Sequence, residues 1–263
     1  MFSTGRRTSL AHDAARVDPG RMAWTRLASA FVEAPRRLCA AFLELLLPHP
    51  CAGCAGPDGP LCTECRRLLQ RRPRRCAPRP GCPPMWAAGP HGGHDRRVLL
   101  AFKEGGADAL AVPLGERLAR VYTASGWSSP NTLLVPVPGR GSPSGTGPVT
   151  RLAESCLAAS GGVEAGRTAP LLRHRGRTGR QVGLGRAERL RNRTGEFVLG
   201  RTPACTEGMP AVVVDDVVTT GATIAEAVRA LRVAKIRVVG AIVLNESLAL
   251  DDRRRSGRFY EDP

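Results

Sequence analysis

The residues of this sequence that most clearly suggest chemistry are Asp215 and Asp216, two adjacent carboxylates that follow a run of valines. Adjacent residues of a strand point to opposite faces, so in the middle of a sheet both carboxylates would face helices and lose their hydration. We therefore expect the pair just after a strand formed by residues 211–214. In that position the carboxylates can accept hydrogen bonds from the vicinal hydroxyls of a sugar.

The loop that follows the carboxylates predicts a phosphate site. A loop that opens a helix presents backbone N–H groups and the positive end of the helix dipole, which suits a phosphate monoester. Threonine hydroxyls add donors, and a glycine lets the backbone approach a ligand closely. The predicted phosphate cradle consists of Thr219, Thr220, Gly221, Ala222 and Thr223. With the two carboxylates it predicts a site for a ribose 5-phosphate group. The alternative, that the threonines only cap a helix, accounts for one threonine and for neither aspartate.

Two Cys-x2-Cys pairs in HPCAGCAGPDGPLCTECRRLLQ, residues 49–70, predict a metal site. Each tight turn brings two thiolates to the same side, and two such turns complete the tetrahedral sulfur set that Zn²⁺ prefers. The predicted ligands are Cys51, Cys54, Cys62 and Cys65. Four thiolates leave no open position for a substrate, so we expect a structural zinc ion. Free buried cysteines would not explain two regular pairs.

The remaining cysteines and histidines give weaker signals. Cys76 and Cys82 lie in the Pro/Arg-rich run RRPRRCAPRPGC, where they are either replacement ligands or without a role. His49 is an alternative zinc ligand. We assign no chemistry to the remaining members of this set, which are interpreted as single buried or spare thiols and ordinary histidines: Cys39, Cys156, Cys205, His91 and His94.

Composition indicates one main domain with a small accessory module, because the chain has 263 residues. The formal net charge is +16, and only two of the 39 basic residues are lysine, Lys103 and Lys235. The arginine bias reflects GC-rich coding as plausibly as selection for a cationic surface. A pI near 10.9 is compatible with phosphate-bearing partners, small or polymeric.

The N-terminal part predicts neither secretion nor a membrane span. Residues 38–47 form an apolar stretch about half the length of a span, and it contains Glu44. We interpret residues 23–47 as a docking helix. Clustered cysteine pairs without a secretory signal indicate a reducing compartment, so we expect a cytoplasmic protein.

Beyond the cysteines, the apolar pattern predicts an α/β domain. A strand, a loop, a helix and a strand over residues 211–244 form a βαβ unit, which implies a largely parallel sheet with a ligand site at the carboxyl ends of its strands. Residues 139–148 are a flexible loop by composition, and residues 172–193 are either a mobile basic loop or a solvated face. The predicted helices are residues 98–103, 110–121, 149–159 and 221–233, and the predicted strands are 132–137, 196–199, 211–214 and 236–244.

The stretch VVVDDVVTTGAT resembles the phosphoribosyl pyrophosphate (PRPP) signature of type I phosphoribosyltransferases. The wider layout, over about residues 40–246, resembles the ComF/GntX competence-protein family, in which a cysteine zinc module precedes such a domain. The elements that carry the likeness occur in the order LPHPCAGC, PLCTEC, LLAFKEGG, LVPVP, TGRQVGLGRAERLRN and the signature.

The resemblance implies a type I phosphoribosyltransferase-like fold, a mainly parallel sheet flanked by helices, with a small N-terminal zinc-binding module. The apolar pattern and the resemblance together divide the chain into four parts. They are residues 1–22, a disordered tail or a start assigned too early; 23–90, the docking helix and cysteine module; 91–250, the phosphoribosyltransferase-like domain; and 251–263, a polar tail.

By the same resemblance, Asp215 and Asp216 hold the ribose 2′- and 3′-hydroxyls and residues 219–223 hold the 5′-phosphate. The loop with Arg140 approaches the pyrophosphate, as does the Arg-rich segment with Arg177, Gln181 and Arg189. In such enzymes Mg²⁺ bridges pyrophosphate and ribose oxygens, and a nucleophile inverts C1 of the ribose. Carboxylates near the developing ribosyl cation, with cations near the leaving pyrophosphate, stabilise the transition state.

The sequence departs from the family after VPVP, where the usual basic segment is replaced by GRGSPSGTGPV. Three hypotheses therefore stay open. The first is an active phosphoribosyltransferase or PRPP-binding enzyme. The second is a non-catalytic competence-type factor that binds single-stranded DNA alongside DNA-uptake proteins. With 4% aromatic residues, such binding would depend on the DNA backbone and on salt. The third is a zinc-anchored interaction protein with a vestigial cradle.

Overall fold

A computed structural model describes residues 50–104, 108–139, 147–175, 195–200 and 208–247. Several expectations fall outside these residues. They are the tail 1–22, the docking helix 23–47, the polar tail 251–263, Arg140, Arg177, Gln181, Arg189, His49, Cys39 and Cys205.

The described residues form an α/β structure around a six-stranded, mainly parallel sheet. Its strands are β1 (Arg74–Arg75), β2 (Met85–Pro90), β3 (Leu133–Pro136), β4 (Arg167–Thr168), β7 (Ala211–Val218) and β8 (Val238–Glu246). The spatial order is β1-β2-β8-β7-β3-β4, in which β1 is antiparallel and every other neighbouring pair is parallel. A separate antiparallel pair consists of β5 (Leu172–His174) and β6 (Phe197–Leu199). The predicted parallel sheet is thus confirmed.

Five α-helices accompany the strands among the described residues. They are α1 (Thr63–Leu68), α2 (Gly93–Glu104), α3 (Ala111–Ser125), α4 (Pro148–Ala159) and α5 (Ala222–Val233). The helices predicted at 98–103, 110–121, 149–159 and 221–233 are confirmed, with bounds that shift by up to five residues. None of these helices combines the length and the apolar character needed to cross a bilayer.

The sheet buries both of its faces, which explains the unbroken apolar runs in its central strands. On one face, Val212 and Val214 pack in the same cluster as helices α2, α3 and α4. On the other face, Val213 and Val243 pack with the apolar side of α5. Cys156 of α4 lies in the first cluster and is fully buried, as predicted for a single core thiol.

Strand β2 had no counterpart in the sequence prediction. Its sequence, MWAAGP, is short and contains glycine and proline, so its own pattern is weak. The neighbouring strand stabilises it, because Met85 pairs with Ala241 and the parallel register continues to Pro90 and Glu246. Residues before position 91 therefore contribute to the same sheet as the carboxylates.

Candidate functional site

The carboxylate pair, Asp215 and Asp216, lies within β7 and not beyond it. The strand was expected over residues 211–214, but it continues to Val218 because β8 runs beside it far enough for Val218 to pair with Glu246. Both aspartates are buried, at 7% and 6% exposure. The expectation that they follow the strand is therefore wrong, although they do occupy its carboxyl-terminal half.

A lysine from another element compensates the charge of Asp216. The Nζ atom of Lys103 forms an ion pair with Asp216 Oδ2. Lys103 lies in the last turn of α2, and its side chain remains 40% exposed. The resemblance had marked the sequence around Lys103, but nothing in the spacing of the chain identified its partner.

The surroundings of Asp215 change the pKa of its carboxyl group. Its Oδ1 atom accepts a hydrogen bond from the backbone N–H of Asp216 at 2.9 Å. Burial raises the pKa of Asp215 well above its ordinary value of 3.8, and the neighbouring Asp216 raises it further, while Lys103 acts in the opposite direction. Asp215 consequently binds a proton at a higher pH than an exposed aspartate does.

The segment predicted to hold a phosphate, residues 219–223 and here named the phosphate loop, runs from the end of β7 into the first two residues of α5. Thr219 and Thr220 are exposed, and Gly221 is buried with a left-handed backbone, φ 82°. Gly221 precedes the first residue of the helix, and its carbonyl accepts the N–H of Ala225 at 2.8 Å. Because the first N–H groups of a helix have no acceptor within the helix, this end can donate to an anion.

Polar residues at the end of β8 complete this edge of the sheet. Asn245 and Glu246 are each 1% exposed, and Glu246 forms ion pairs with Arg74 at 3.0 Å and Arg79 at 2.8 Å. The sequence prediction missed both residues. The signal was present, since Asn-Glu ends a buried apolar strand just as Asp-Asp interrupts β7.

His91, directly after β2, lies at the same edge. Its backbone N–H donates to the carbonyl of Glu246 at 2.8 Å. Burial lowers the pKa of His91, Arg96 lowers it further, and the charge of Asp216 opposes them. Although no chemistry was predicted for it, His91 is within electrostatic range of the carboxylate pair.

The four predicted zinc ligands form one cluster, the cysteine cluster. The Sγ atoms of Cys51, Cys54, Cys62 and Cys65 all lie within 4.8 Å of one another. Tetrahedral zinc with bonds near 2.3 Å would place the sulfur atoms about 3.8 Å apart. The Sγ atoms of Cys54 and Cys62 are 3.9 Å apart, so the donor set and its spacing fit a metal such as zinc.

Backbone donors favour the thiolate form of Cys51, whereas burial raises the pKa of Cys65. The N–H of Cys62 donates to Cys51 Sγ at 3.3 Å, and the N–H of Gly56 donates to Cys54 Sγ at 3.4 Å. Burial raises the pKa of Cys51, but hydrogen bonds from the backbone of Cys62, Cys54 and Gly53 outweigh burial and lower it to about 6. A deprotonated thiol is the form that binds metal.

The amino-terminal end of α2 packs against the cysteine cluster. Arg97 Nε donates to the Gly53 carbonyl at 2.8 Å. A Cβ atom on Gly53 would lie 2.2 Å from His94 Nε2 and 2.6 Å from Cys65 Sγ, so only glycine fits there. The interpretation of His94 as an ordinary histidine is incomplete, because its ring is in close contact with the cysteine loop.

A buried ion pair fixes α2 to the neighbouring helix α3. Arg117 Nη2 lies 2.7 Å from Asp95 Oδ2, and both side chains are almost completely buried. Helix α2 therefore contacts the cysteine cluster near its first turn, α3 through Asp95, and the carboxylate pair through Lys103.

Cys76 and Cys82 are not members of the cysteine cluster. Burial raises the pKa of Cys76 to about 12, and the nearby charge of Glu246 adds to this effect. The Sγ atom of Cys82 donates to the Gly221 carbonyl at 3.3 Å. Both thiols are thus placed beside the strand ends and the phosphate loop, which their spacing did not indicate.

The structure brings the predicted residues together in two groups. One group lies on a strand, the loop after it and the start of a helix, and consists of Asp215, Asp216 and residues 219–223. The other group is the four converging cysteines. Arg140 lies outside the described residues.

Neither a scan of protein-family models nor a search of curated proteins found a match for this chain.

Proposed function

We propose that this protein binds PRPP, or a related ribose 5-phosphate ligand, at the carboxyl edge of its parallel sheet. One observation carries the proposal: a buried carboxylate pair lies near the end of a strand, and a glycine loop that opens a helix follows that strand directly. Ligands of open α/β sheets bind outside the carboxyl ends of the strands.

The chemical groups of the site divide between the two ends of such a ligand. The carboxylates accept hydrogen bonds from the ribose hydroxyls, while the first N–H groups of α5 and the hydroxyl of Thr220 donate to the 5′-phosphate. Ala222 N lies 3.4 Å from Thr220 Oγ1, so this hydroxyl already faces the start of the helix.

Oxygen ligands of this kind also fit Mg²⁺, which prefers carboxylate and phosphate oxygens. When bound with PRPP, Mg²⁺ would neutralise charge on the pyrophosphate leaving group. Asp215 and Asp216 would stand beside the ribose, where positive charge develops at C1 if the phosphoribosyl group is transferred. The ammonium group of Lys103, which stays partly exposed, keeps the carboxylate pair from repelling an anionic ligand.

We further propose that the domain is type I phosphoribosyltransferase-like and that the chain belongs with the ComF/GntX proteins. The mainly parallel sheet, the position of the carboxylates and the four-cysteine cluster ahead of them support this assignment. Structural zinc at the cysteine cluster is part of the same proposal, because four thiolates leave no ligand position open.

The decisive experiment is calorimetric titration of PRPP, with and without Mg²⁺, into wild type and the double variant Asp215→Asn/Asp216→Asn. A matched control, Glu116→Gln/Glu154→Gln, neutralises two exposed carboxylates on α3 and α4. We expect Mg²⁺-dependent binding in wild type and the control, and an affinity about tenfold weaker or worse in the double aspartate variant, equivalent to about 1.4 kcal/mol or more.

Equal weak binding by all three proteins would refute the proposal. Salt-dependent binding of single-stranded DNA that survives the double aspartate substitution would instead favour the competence-type alternative.

A further inference from the structure

The Pro/Arg-rich run between the cysteine cluster and β2 has an unexpected position. Residues 74–82, here named the clamp segment, lie against the phosphate loop and the end of β8. The contacts join residues about 140 positions apart in the chain, as in the bond between Arg79 and Thr219. Nothing in the proposed ligand chemistry requires this segment, so its contacts call for a separate explanation.

Arg79 makes the central contacts of the clamp segment. Its Nε atom donates to the Thr219 carbonyl at 2.9 Å, and its Nη2 atom lies 2.8 Å from Glu246 Oε1. The Arg79 side chain is 13% exposed and that of Glu246 is 2% exposed. The planar guanidinium thereby connects the loop after β7 to the last residue of β8, which a flexible point charge would not do with fixed geometry.

The clamp segment also packs directly on Gly221. A Cβ atom at Gly221 would lie 2.8 Å from Cys82 Sγ and 2.9 Å from Arg79 Cδ. Cys82 Sγ donates to the Gly221 carbonyl at 3.3 Å. Two carbonyls of the loop, those of Thr219 and Gly221, are therefore held by the same segment.

These two contacts, together with the hydrogen bond from the Ala225 N–H to the Gly221 carbonyl, determine where the loop N–H groups point. In a planar trans peptide, the C=O and the N–H bonds point in opposite directions. Since Arg79 holds the Thr219 carbonyl and Cys82 holds the Gly221 carbonyl, the N–H groups of Thr220 and Ala222 point away from the clamp segment. Backbone N–H groups that point to one side form a concave site for an anion.

We propose that Arg79, supported by Cys82, is a positioning residue for the phosphate loop. It holds the loop carbonyls on the side away from the ligand, so that the N–H groups of Thr220 and Ala222 face the 5′-phosphate. This inference rests on the proposed function. Arg79 acts through the loop, because its guanidinium donates to the Thr219 carbonyl and pairs with Glu246, a carboxylate that it shares with Arg74.

The test compares wild type with Arg79→Ala, Arg79→Lys and the control Arg75→Ala. Arg75 belongs to the same segment but lies over the ring of Trp86, 5.6 Å from its centroid. Hydrogen exchange without ligand is measured at the amide of Ala225, which donates to the Gly221 carbonyl and serves as the reporter of loop exchange. Ribose 5-phosphate is titrated by calorimetry and by amide NMR. We expect loop exchange to be about tenfold faster in Arg79→Ala, and ribose 5-phosphate binding to be weaker by a similar factor.

The conservative variant separates positioning from simple charge. Lysine keeps the charge opposite Glu246 but cannot contact both acceptors with a rigid fork, so Arg79→Lys should restore folding stability with only part of the affinity. In wild type, ribose 5-phosphate should shift the amide protons of Thr220 and Ala222 downfield. This shift should be lost in Arg79→Ala and kept in Arg75→Ala.

Unchanged loop exchange in Arg79→Ala would overturn the inference, as would faster exchange with unaltered affinity. If Arg79→Ala does not fold, Cys82→Ala supplies the same comparison through the Gly221 carbonyl. If wild type itself binds no ribose 5-phosphate, the proposed function fails and the ligand role of Arg79 fails with it. The exchange data, recorded without ligand, would still decide whether Arg79 holds the loop.

Discussion

Lys103, in the last turn of α2, forms an ion pair with Asp216, the second carboxylate of β7. Asp216 is buried, whereas Lys103 remains partly exposed. The pair connects a helix that begins at the cysteine cluster with the strand that carries the proposed ligand site. Loss of this ion pair should therefore lower the stability of the fold and weaken binding at the proposed site.

Replacement of Lys103 by methionine should weaken the fold and the site together. The substitution keeps a similar chain length but leaves Asp216 without its cation. Because Lys103 is 40% exposed, solvent screening limits the cost to about 1–2 kcal/mol, below that of breaking a fully buried pair. Urea unfolding at neutral pH measures this change. The control Lys235→Met removes the other lysine of the chain, and an equal loss there would contradict the ion pair's role.

The raised pKa of Asp215 predicts a pH dependence with a definite sign. A carboxyl group with a higher pKa in the folded state binds more protons when folded, so its contribution to stability falls as the pH rises from 3.8 through the raised value. Asp215→Asn should remove this fall and stabilise the protein at pH 8, while it weakens binding at the proposed ligand site. Thermal unfolding between pH 4 and pH 8 provides the measurement. Glu164→Gln, at an exposed position, should leave the profile unchanged, and a parallel profile in both variants would disprove the expectation.

Gly221 should tolerate alanine less well than Gly126, a glycine with a similar left-handed backbone. Gly126 ends α3 with φ 75° and has open space around it, so Gly126→Ala should cost only the left-handed conformation, about 1–2 kcal/mol. Gly221→Ala adds close contacts with Cys82 and Arg79. These contacts should lower the free energy of unfolding by about 1–3 kcal/mol more. Chemical denaturation of both variants gives the comparison, and equal losses would show that the clamp segment does not press on the loop.

Metal should be bound at one ion per chain through the cysteine cluster. Cys54→Ser should lose the metal, whereas Cys82→Ser should keep it, because Cys82 contacts Gly221 and not the cluster. A metal present at about 1,000 times its Kd stabilises a folded protein by about 4 kcal/mol, so a chelator should lower the free energy of unfolding by an amount of that order. Elemental analysis and chelator-dependent unfolding measure both effects. A metal content near zero in carefully purified protein would refute the site.

The sequence predicted those parts of the fold and site that depend on residues close together in the chain. The valine run, the carboxylates and the glycine loop lie within 13 consecutive residues, and the βαβ unit follows from their spacing. The two Cys-x2-Cys pairs were likewise predictable, because each tight turn by itself brings its two sulfur atoms to the same side. The limit of β7 was misjudged because it depends on the length of β8, and burial of Asp216 depends on Lys103.

The rest of the site depends on contacts between distant segments. No periodicity or spacing connects Arg79 to Thr219 or His94 to Gly53, since tertiary packing alone brings them together. Strand β2 was missed for a related reason: its weak pattern is stabilised by pairing with β8.

Helix α2 connects the cysteine cluster to the proposed ligand site. A helix of 12 residues is about 18 Å long, so a tilt of about 10° at its first turn would move its far end by about 3 Å. Added to the present separation of the two groups, that displacement would take Lys103 beyond ion-pair distance of Asp216, so we expect loss of metal from the cysteine loop to weaken this pair. The proposed site would then bind ribose 5-phosphate more weakly after the metal is removed, which titration before and after chelation can detect.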